Sequence, residues 1–139
     1  RDNMSLITHS LEVTENNSFL HSSMAMIYGQ EGRPDLAIGE YRESIRINPV
    51  YAEAHFGLGI CLENSGKIEE AISEYRAAVQ IDPDKPQYHN NLGISLARHG
   101  MIDEAIEHLS IAVQLKPGDE KAEFNLQKAL QIRSNMSGK

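Results

Sequence analysis

Three prolines stand in register along this chain, Pro49, Pro83 and Pro117, each 34 residues from the next. The same offset carries Gly32 to Gly66 and Gly100, Ala37 to Ala71 and Ala105, and His21 to His55 and His89. Tyr41 maps to Tyr75 and Leu109, while Leu58 and Gly59 map forward to Leu92 and Gly93 and back to Met24 and Ala25. A period of that length held over three copies means one supersecondary unit repeated, not a single globule built once. The register sets the units at 18–51, 52–85 and 86–119.

Each unit reads as two helices. In the second unit Phe56, Leu58, Ile60 and Leu62 lie among small residues before Gly66, a helix-ending residue. Ile68, Ala71, Ile72, Tyr75, Ala78, Val79 and Ile81 then follow the spacing of one helix face until Pro83 stops it. Gly59 with Ala71, and Gly93 with Ala105, are expected to let the two helices of a unit approach closely, because a large side chain there would hold the backbones apart. One helix pair cannot bury its own apolar face, so units must stack. The fold class is all-α, a solenoid of helix-turn-helix units with a concave and a convex side.

The pattern runs past both ends. Residues 1–17 align with the second helix of a preceding unit, Met4 falling on Ile38, Ile7 on Tyr41, Leu11 on Ile45 and Val13 on Ile47. Residues 120–133 read as a capping helix that keeps Phe124, Leu126 and Leu130 at the apolar places, with Gln127 where the close-approach glycine would stand. Residues 134–139 read as a frayed tail. A chain that opens on Arg1 rather than Met reads as a piece of something longer.

Composition narrows function. Acidic residues outnumber basic ones 20 to 13, for a net charge of -7, which repels phosphate backbones and argues against a nucleic-acid partner. Cys61 is the only cysteine, so there is no internal disulfide, and it reads as a small core residue. No apolar run reaches the ~18 residues of a membrane span, so direct membrane insertion of this segment is not expected. No nucleophile–base pair, phosphate loop or metal signature is present, which leaves no catalytic residue, no cofactor and no metal site to expect. His21, His55 and His89 repeat once per unit, and neighbouring first helices are separated by ~10 Å, too far for shared metal ligation. They are expected to pack, while His9, His99 and His108 have no partner by spacing.

These residues resemble the tetratricopeptide repeat (TPR) family. The motif places are Leu58, Gly59, Leu62, Gly66, Ala71, Tyr75, Ala78 and Pro83 in the second unit, and Leu92, Gly93, Leu96, Gly100, Ala105, Leu109, Ala112 and Pro117 in the third. The first has Met24, Ala25, Tyr28, Gly32, Ala37, Tyr41, Ser44 and Pro49. His21, His55 and His89 take the place where the family usually has Trp. The resemblance implies a right-handed solenoid that serves as a protein-interaction scaffold, with a peptide or protein segment in a concave groove lined by the first helix of each repeat. Carried over, the groove places are Met26, Phe56, Ile60, Asn90, Asn91, Ile94, Arg98, Lys121, Phe124, Asn125 and Lys128.

Four readings of that groove follow. The chaperone-binding subgroup's two-carboxylate clamp is absent, since its places hold Ser22, Met26, Gly57, Gln87 and Asn91. Asn91 and Asn125 match the asparagine ladder of the TPR part of O-linked N-acetylglucosamine transferases, where an amide can grip a peptide backbone; Ser23 and Gly57 interrupt it, and local bonding is the alternative. Met26, Ile60 and Ile94 form a stripe that either receives a partner or packs between adjacent first helices. Glu53 and Glu63 stand toward one end, with Arg98, Lys121 and Lys128 at the other, so that the cationic end is expected to receive an acidic stretch of the partner. The first 21 residues also look like the junction in bacterial membrane proteins of the glycosyltransferase type, where TPR repeats follow the last transmembrane span. That would make the chain the soluble part of a larger membrane-anchored protein on the extracytoplasmic side, with a cytoplasmic location as the alternative. The alternative function is a structural adaptor that self-associates weakly through its end faces into a homo-oligomer.

Overall fold

The computed structural model describes the backbone of residues 3–138 and the side chains of residue 13 and residues 17–138. Among the described residues there is no strand, and seven helices follow in order: α1 Asn3–Gln30, α2 Pro34–Ile47, α3 Ala52–Asn64, α4 Ile68–Ile81, α5 Pro86–Arg98, α6 Ile102–Leu115 and α7 Glu120–Ser137. The helices pair as α1 with α2, α3 with α4 and α5 with α6, and α2, α4 and α6 each also pack on the next pair's first helix. The result is a solenoid of helix-turn-helix units, as the period of 34 requires.

Two kinds of punctuation make the units. Between the helices of a unit, Gly32, Gly66 and Gly100 take φ of 71°, 82° and 86°, a region that L side chains avoid. The residue after each glycine donates back to the helix just ended, Arg33 N to Tyr28 O at 2.9 Å, Lys67 N to Leu62 O at 2.9 Å and Met101 N to Leu96 O at 2.8 Å. This closes orphan carbonyls of α1, α3 and α5. Between units, α2, α4 and α6 stop two residues before Pro49, Pro83 and Pro117. The residue preceding each proline, Asn48, Asp82 or Lys116, is held out of the helical region at φ −133° to −135°.

The same rule explains a departure from the sequence reading. A separate helix ending near Thr14 is expected from the repeat register, yet α1 runs unbroken from Asn3 to Gln30. Glu15 stands where the other units have Pro49, Pro83 and Pro117, and no glycine or proline interrupts the chain before Gly29. Nothing there forces a turn. The side chains of Met4, Ile7 and Leu11, on which that alignment rests, lie outside the described residues. At the other end, α7 continues through Ser137 rather than giving way to a tail at Ser134. Asp119 caps it, accepting from Lys121 N at 3.1 Å and Ala122 N at 3.5 Å.

Close helix approach holds the core together. A Cβ on Gly59 would lie 2.6 Å from the Tyr75 ring, and one on Gly93 would lie 2.6 Å from Leu109 Cγ and 3.2 Å from Ala105 O. Ala71, Ala105, Tyr75, Leu92 and Leu96 are fully buried around these contacts. A third contact joins units rather than helices of one unit: the Tyr41 ring of α2 lies on Gly57 of α3, too close for any side chain. In the first pair, buried serines allow the approach, Ser18 Oγ donating to Ser44 O at 3.0 Å and Ser44 Oγ to Ser18 O at 2.8 Å. On the outside, Arg76 grips Glu104 with two bonds of 2.8 and 2.7 Å, and Arg42 and Glu70 repeat the pair one period earlier at 3.7 Å. Exposed pairs of this kind are worth at most ~1 kcal/mol, so burial, not charge, fixes the stacking.

Two glycine substitutions with opposite outcomes check this account. Gly93→Leu is expected to destabilise by ~1–3 kcal/mol through overpacking. Gly39, exposed in α2 with open space around it, is expected to stabilise by about 0.5–1 kcal/mol on replacement by Ala, from helix propensity alone. Urea unfolding of both variants reads the two signs; a neutral Gly93→Leu would place the helix contact elsewhere.

Candidate functional site

The first helices of the units, α1, α3 and α5, and the cap α7 line one continuous face, α1 touching α3 and α5 touching α7. Three cavities follow one another along it. One of about 480 Å³ lies among Met26, Glu53, Phe56, Ile60 and Gln87. One of about 540 Å³ lies where α5 and α7 begin, among Lys85, Asn90, Asn91, Lys116 and Lys121. One of about 270 Å³ lies among Ile94, Arg98, Leu109, Asn125, Lys128 and Ile132. Every groove residue expected from sequence lines one of these cavities except Phe124, which is 66% exposed.

The apolar stripe divides. Met26 is 56% exposed, whereas Ile60 and Ile94 are half-buried and pack partly into the core beneath them. Phe56 leans on two rings, with centroids 5.7 Å from Tyr75 and 4.7 Å from Tyr88. This gives the first cavity an aromatic floor. Burial pushes the Tyr41 phenol up to about 12, with Cys61 and Tyr51 adding smaller contributions. The Tyr75 phenol is pushed up further, first by burial and then by the Glu63 carboxylate. Among the described residues its buried hydroxyl has no partner in hydrogen-bond geometry. The thiol of Cys61 is half-buried and pushed up by that burial, as a small core residue would be.

The polar places also divide. Asn125 donates from Nδ2 to Asn90 Oδ1 at 3.1 Å, joining α7 to α5. Asn91 is half-buried beside them. Arg98 lies 3.9 Å from Glu63, whose carboxylate also accepts from the Ser95 hydroxyl, so the anionic and cationic ends meet and part of Arg98's charge is answered. Lys85, Lys121 and Lys128 enter no ion pair among the described residues, whereas Lys116 lies 4.0 Å from Asp119, which lines the same cavity. Lys85 and Lys116 are groove cations that sequence reasoning passes over, because both sit in inter-unit turns rather than on a first helix. Their signal is position: Lys85 is two residues before the groove place Gln87, and Lys116 immediately precedes the repeat-register Pro117.

Residues 23–86 match the family model described as tetratricopeptide repeat. The matched stretch is made of tetratricopeptide repeats. Among curated proteins none is a significant match by sequence. The structure is similar to YrrB, a TPR protein with an unusual peptide-binding site, at 27% identity and TM-score 0.71 over 78% of this chain and 56% of that one. It is also similar to a variant of the O-GlcNAc transferase of Thermobaculum terrenum, at 27% identity and TM-score 0.76 over 84% of this chain and 22% of that one. The first TPR of Spaghetti (RPAP3), solved bound to an HSP90 peptide, superposes with TM-score 0.84 at 18% identity, over 86% of this chain and 95% of that one.

The TPR histidines are hydrogen-bonded across each helix pair. His21 Nδ1 lies 2.5 Å from Glu40 Oε2, and His55 Nδ1 lies 2.7 Å from Glu74 Oε2. His55 also donates from Nε2 to Pro49 O at 2.8 Å, so both ring nitrogens face acceptors. The His55 imidazolium is favoured: the Glu74 bond raises its pKa above the ordinary 6.5, with burial opposing. In the third repeat the partner place holds His108 rather than Glu, and its Nδ1 lies 3.1 Å from His89 Nδ1 while His89 Nε2 donates to Pro83 O at 2.7 Å. That corrects the reading of His108 as partnerless, since the pairing crosses the helix pair rather than following the period. His99 likewise meets Glu69 at 3.5 Å. His9 lies outside the described side chains. No three His, Cys, Asp or Glu side chains converge among the described residues.

Two facing Nδ1 atoms can share one proton but not hold two. Burial first, and His89 next, hold the His108 pKa below 6.5. A lowered histidine pKa costs stability as pH falls through the unfolded value, ~6.5, toward the folded one. A raised one, as at His55, gives stability that is complete below that value and is lost as pH rises through the folded pKa. Replacing His108 with Glu rebuilds the His–Glu pair of the other repeats. The stability advantage of His108→Glu over the natural chain is expected to widen between about pH 8 and pH 5.5, measured by thermal unfolding; an advantage independent of pH would contradict the paired geometry.

Proposed function

We propose that this chain is a non-catalytic protein-interaction module that holds a peptide or protein segment along the face formed by α1, α3, α5 and α7. The observation that carries the reading is the row of three cavities on that one face, largely apolar and aromatic at the α1–α3 end, with Glu53 at its edge, and lined by three lysines and Asp119 where α5 and α7 begin. Its support in kind is that solved TPR domains of the same fold hold peptides. The ligand favoured by this charge layout is a segment with an apolar part over Met26, Phe56 and Ile60, and an acidic part over Lys85, Lys116, Lys121 and Lys128. Asn91, and Asn125 with Asn90, would bond its backbone, since an amide offers both donor and acceptor. The chaperone-type clamp is not part of this reading.

The wider setting we propose is a larger membrane-anchored protein of the glycosyltransferase type. Its support is the junction-like stretch over the first 21 residues and the likeness to an O-GlcNAc transferase of which the aligned part is 22%. No helix among the described residues is long and apolar enough to cross a membrane, so any anchor would be elsewhere in such a protein.

The test is fluorescence anisotropy with two peptides of equal length and equal apolar content, one Glu-rich and one Lys-rich, at low and high salt. The Glu-rich peptide is expected to bind more tightly. Lys121→Ala with Lys128→Ala is expected to weaken it chiefly at low salt, because salt already screens exposed charge. Asn91→Ala with Asn125→Ala is expected to weaken it at both salts, by about 1 kcal/mol for each lost neutral hydrogen bond. Equal binding of the two peptides, or indifference to both double variants, would contradict the reading.

A further inference from the structure

Helix α1 carries an apolar stripe that nothing among the described residues covers. Leu20, Met24 and Ile27 are 55%, 40% and 53% exposed. One period on stand Ala54, Leu58 and Cys61, then Tyr88, Leu92 and Ser95, then Ala122, Leu126 and Ala129, and every one of these is buried or half-buried. In those three places the preceding second helix, α2, α4 or α6, packs on the first helix that carries them. The α1 stripe is the same surface without its covering helix.

The repeats state what that cover must be: an antiparallel helix of the second-helix type, in the register that sets Tyr41 of α2 on Gly57 of α3. Moved back one period, that contact sets the position of Ile7 on Ser23, so that the positions of Met4, Ile7 and Leu11 run antiparallel alongside the stretch that carries Ile27, Met24 and Leu20. Residues 3–14 therefore have the pattern the stripe requires. They are, however, the first half of α1 itself, and a helix that runs unbroken from Asn3 to Gln30 cannot fold back on its own second half.

We infer that a second copy of this chain supplies the cover. Two α1 helices pair antiparallel, each copy's residues 3–14 lying over Leu20, Met24 and Ile27 of the other, with the two-fold axis beside Glu15 and Asn16. The exchange is reciprocal and closes on itself. The stripe itself is uncharged, with no Asp, Glu, Lys or Arg from Asn16 to Gln30, while the covering segment brings Glu12 and the axis brings the two Glu15 positions near each other at its edge. At the opposite end of the solenoid α7 exposes Leu130 and Ile132; a head-to-tail contact of that end with α1 would set two first helices together and would not close.

Sedimentation equilibrium over a range of protein concentrations tests the inference. The natural chain is expected to reach twice its 15.5 kDa. The double variant Leu20→Glu, Ile27→Glu alters only exposed side chains, and is expected to keep its helix content by circular dichroism and to sediment as a monomer. Glu15→Pro places the inter-repeat proline at the missing position, which ends α1 there and frees residues 3–14 to cover the stripe of their own copy; it too is expected to be monomeric with its helices kept. A natural chain that stays monomeric, or a dimer that survives either variant, overturns the inference.

Discussion

Helices in this chain come closer together than side chains allow, and the rest of the structure depends on that. At Gly59 and Gly93 the second helix of a repeat lays the side chain of Tyr75 or Leu109 directly on the first helix, and at Gly57 the Tyr41 ring does the same between repeats. Such contacts fix the spacing and the rotation of each first helix relative to its neighbours. The same first helices present Met26, Phe56, Ile60, Asn91, Ile94 and Arg98 to the cavities, and Tyr41 and Gly57 themselves line the first of these. The groove borders the packing, so a residue that tightens the core also positions a candidate ligand contact.

Most of the architecture was legible because the punctuation is chemical and periodic. Pro49, Pro83 and Pro117 end helices through the residue before them, and Gly32, Gly66 and Gly100 adopt a backbone conformation that other residues resist. Where the punctuation is missing, repeat alignment and structure part company. Glu15 keeps the register of the repeat but lacks the steric effect of proline, and α1 runs through. Apolar spacing alone records which face a helix buries, not whether the chain turns.

The candidate groove was legible as a face and less so as an electrostatic surface. First-helix residues follow from period and register, and all but Phe124 line a cavity. Pairings that cross between helices have no signature in a linear period. Thus Arg98 meets Glu63, Asn125 meets Asn90 and His89 meets His108, none of which the spacing of 34 brings together. Lys85 and Lys116 enter the groove from turns, because the inter-repeat loops end beside the start of the next first helix.

The central claim is that the face of α1, α3, α5 and α7 is the ligand face. An amide NMR titration of the isotopically labelled chain with a Glu-rich, partly apolar peptide addresses it residue by residue. The account predicts that the largest shifts fall on α3, α5 and the start of α7, around Phe56, Asn91, Lys121 and Lys128. Shifts confined to the outward faces of α2, α4 and α6, with those groove residues unmoved, would contradict it.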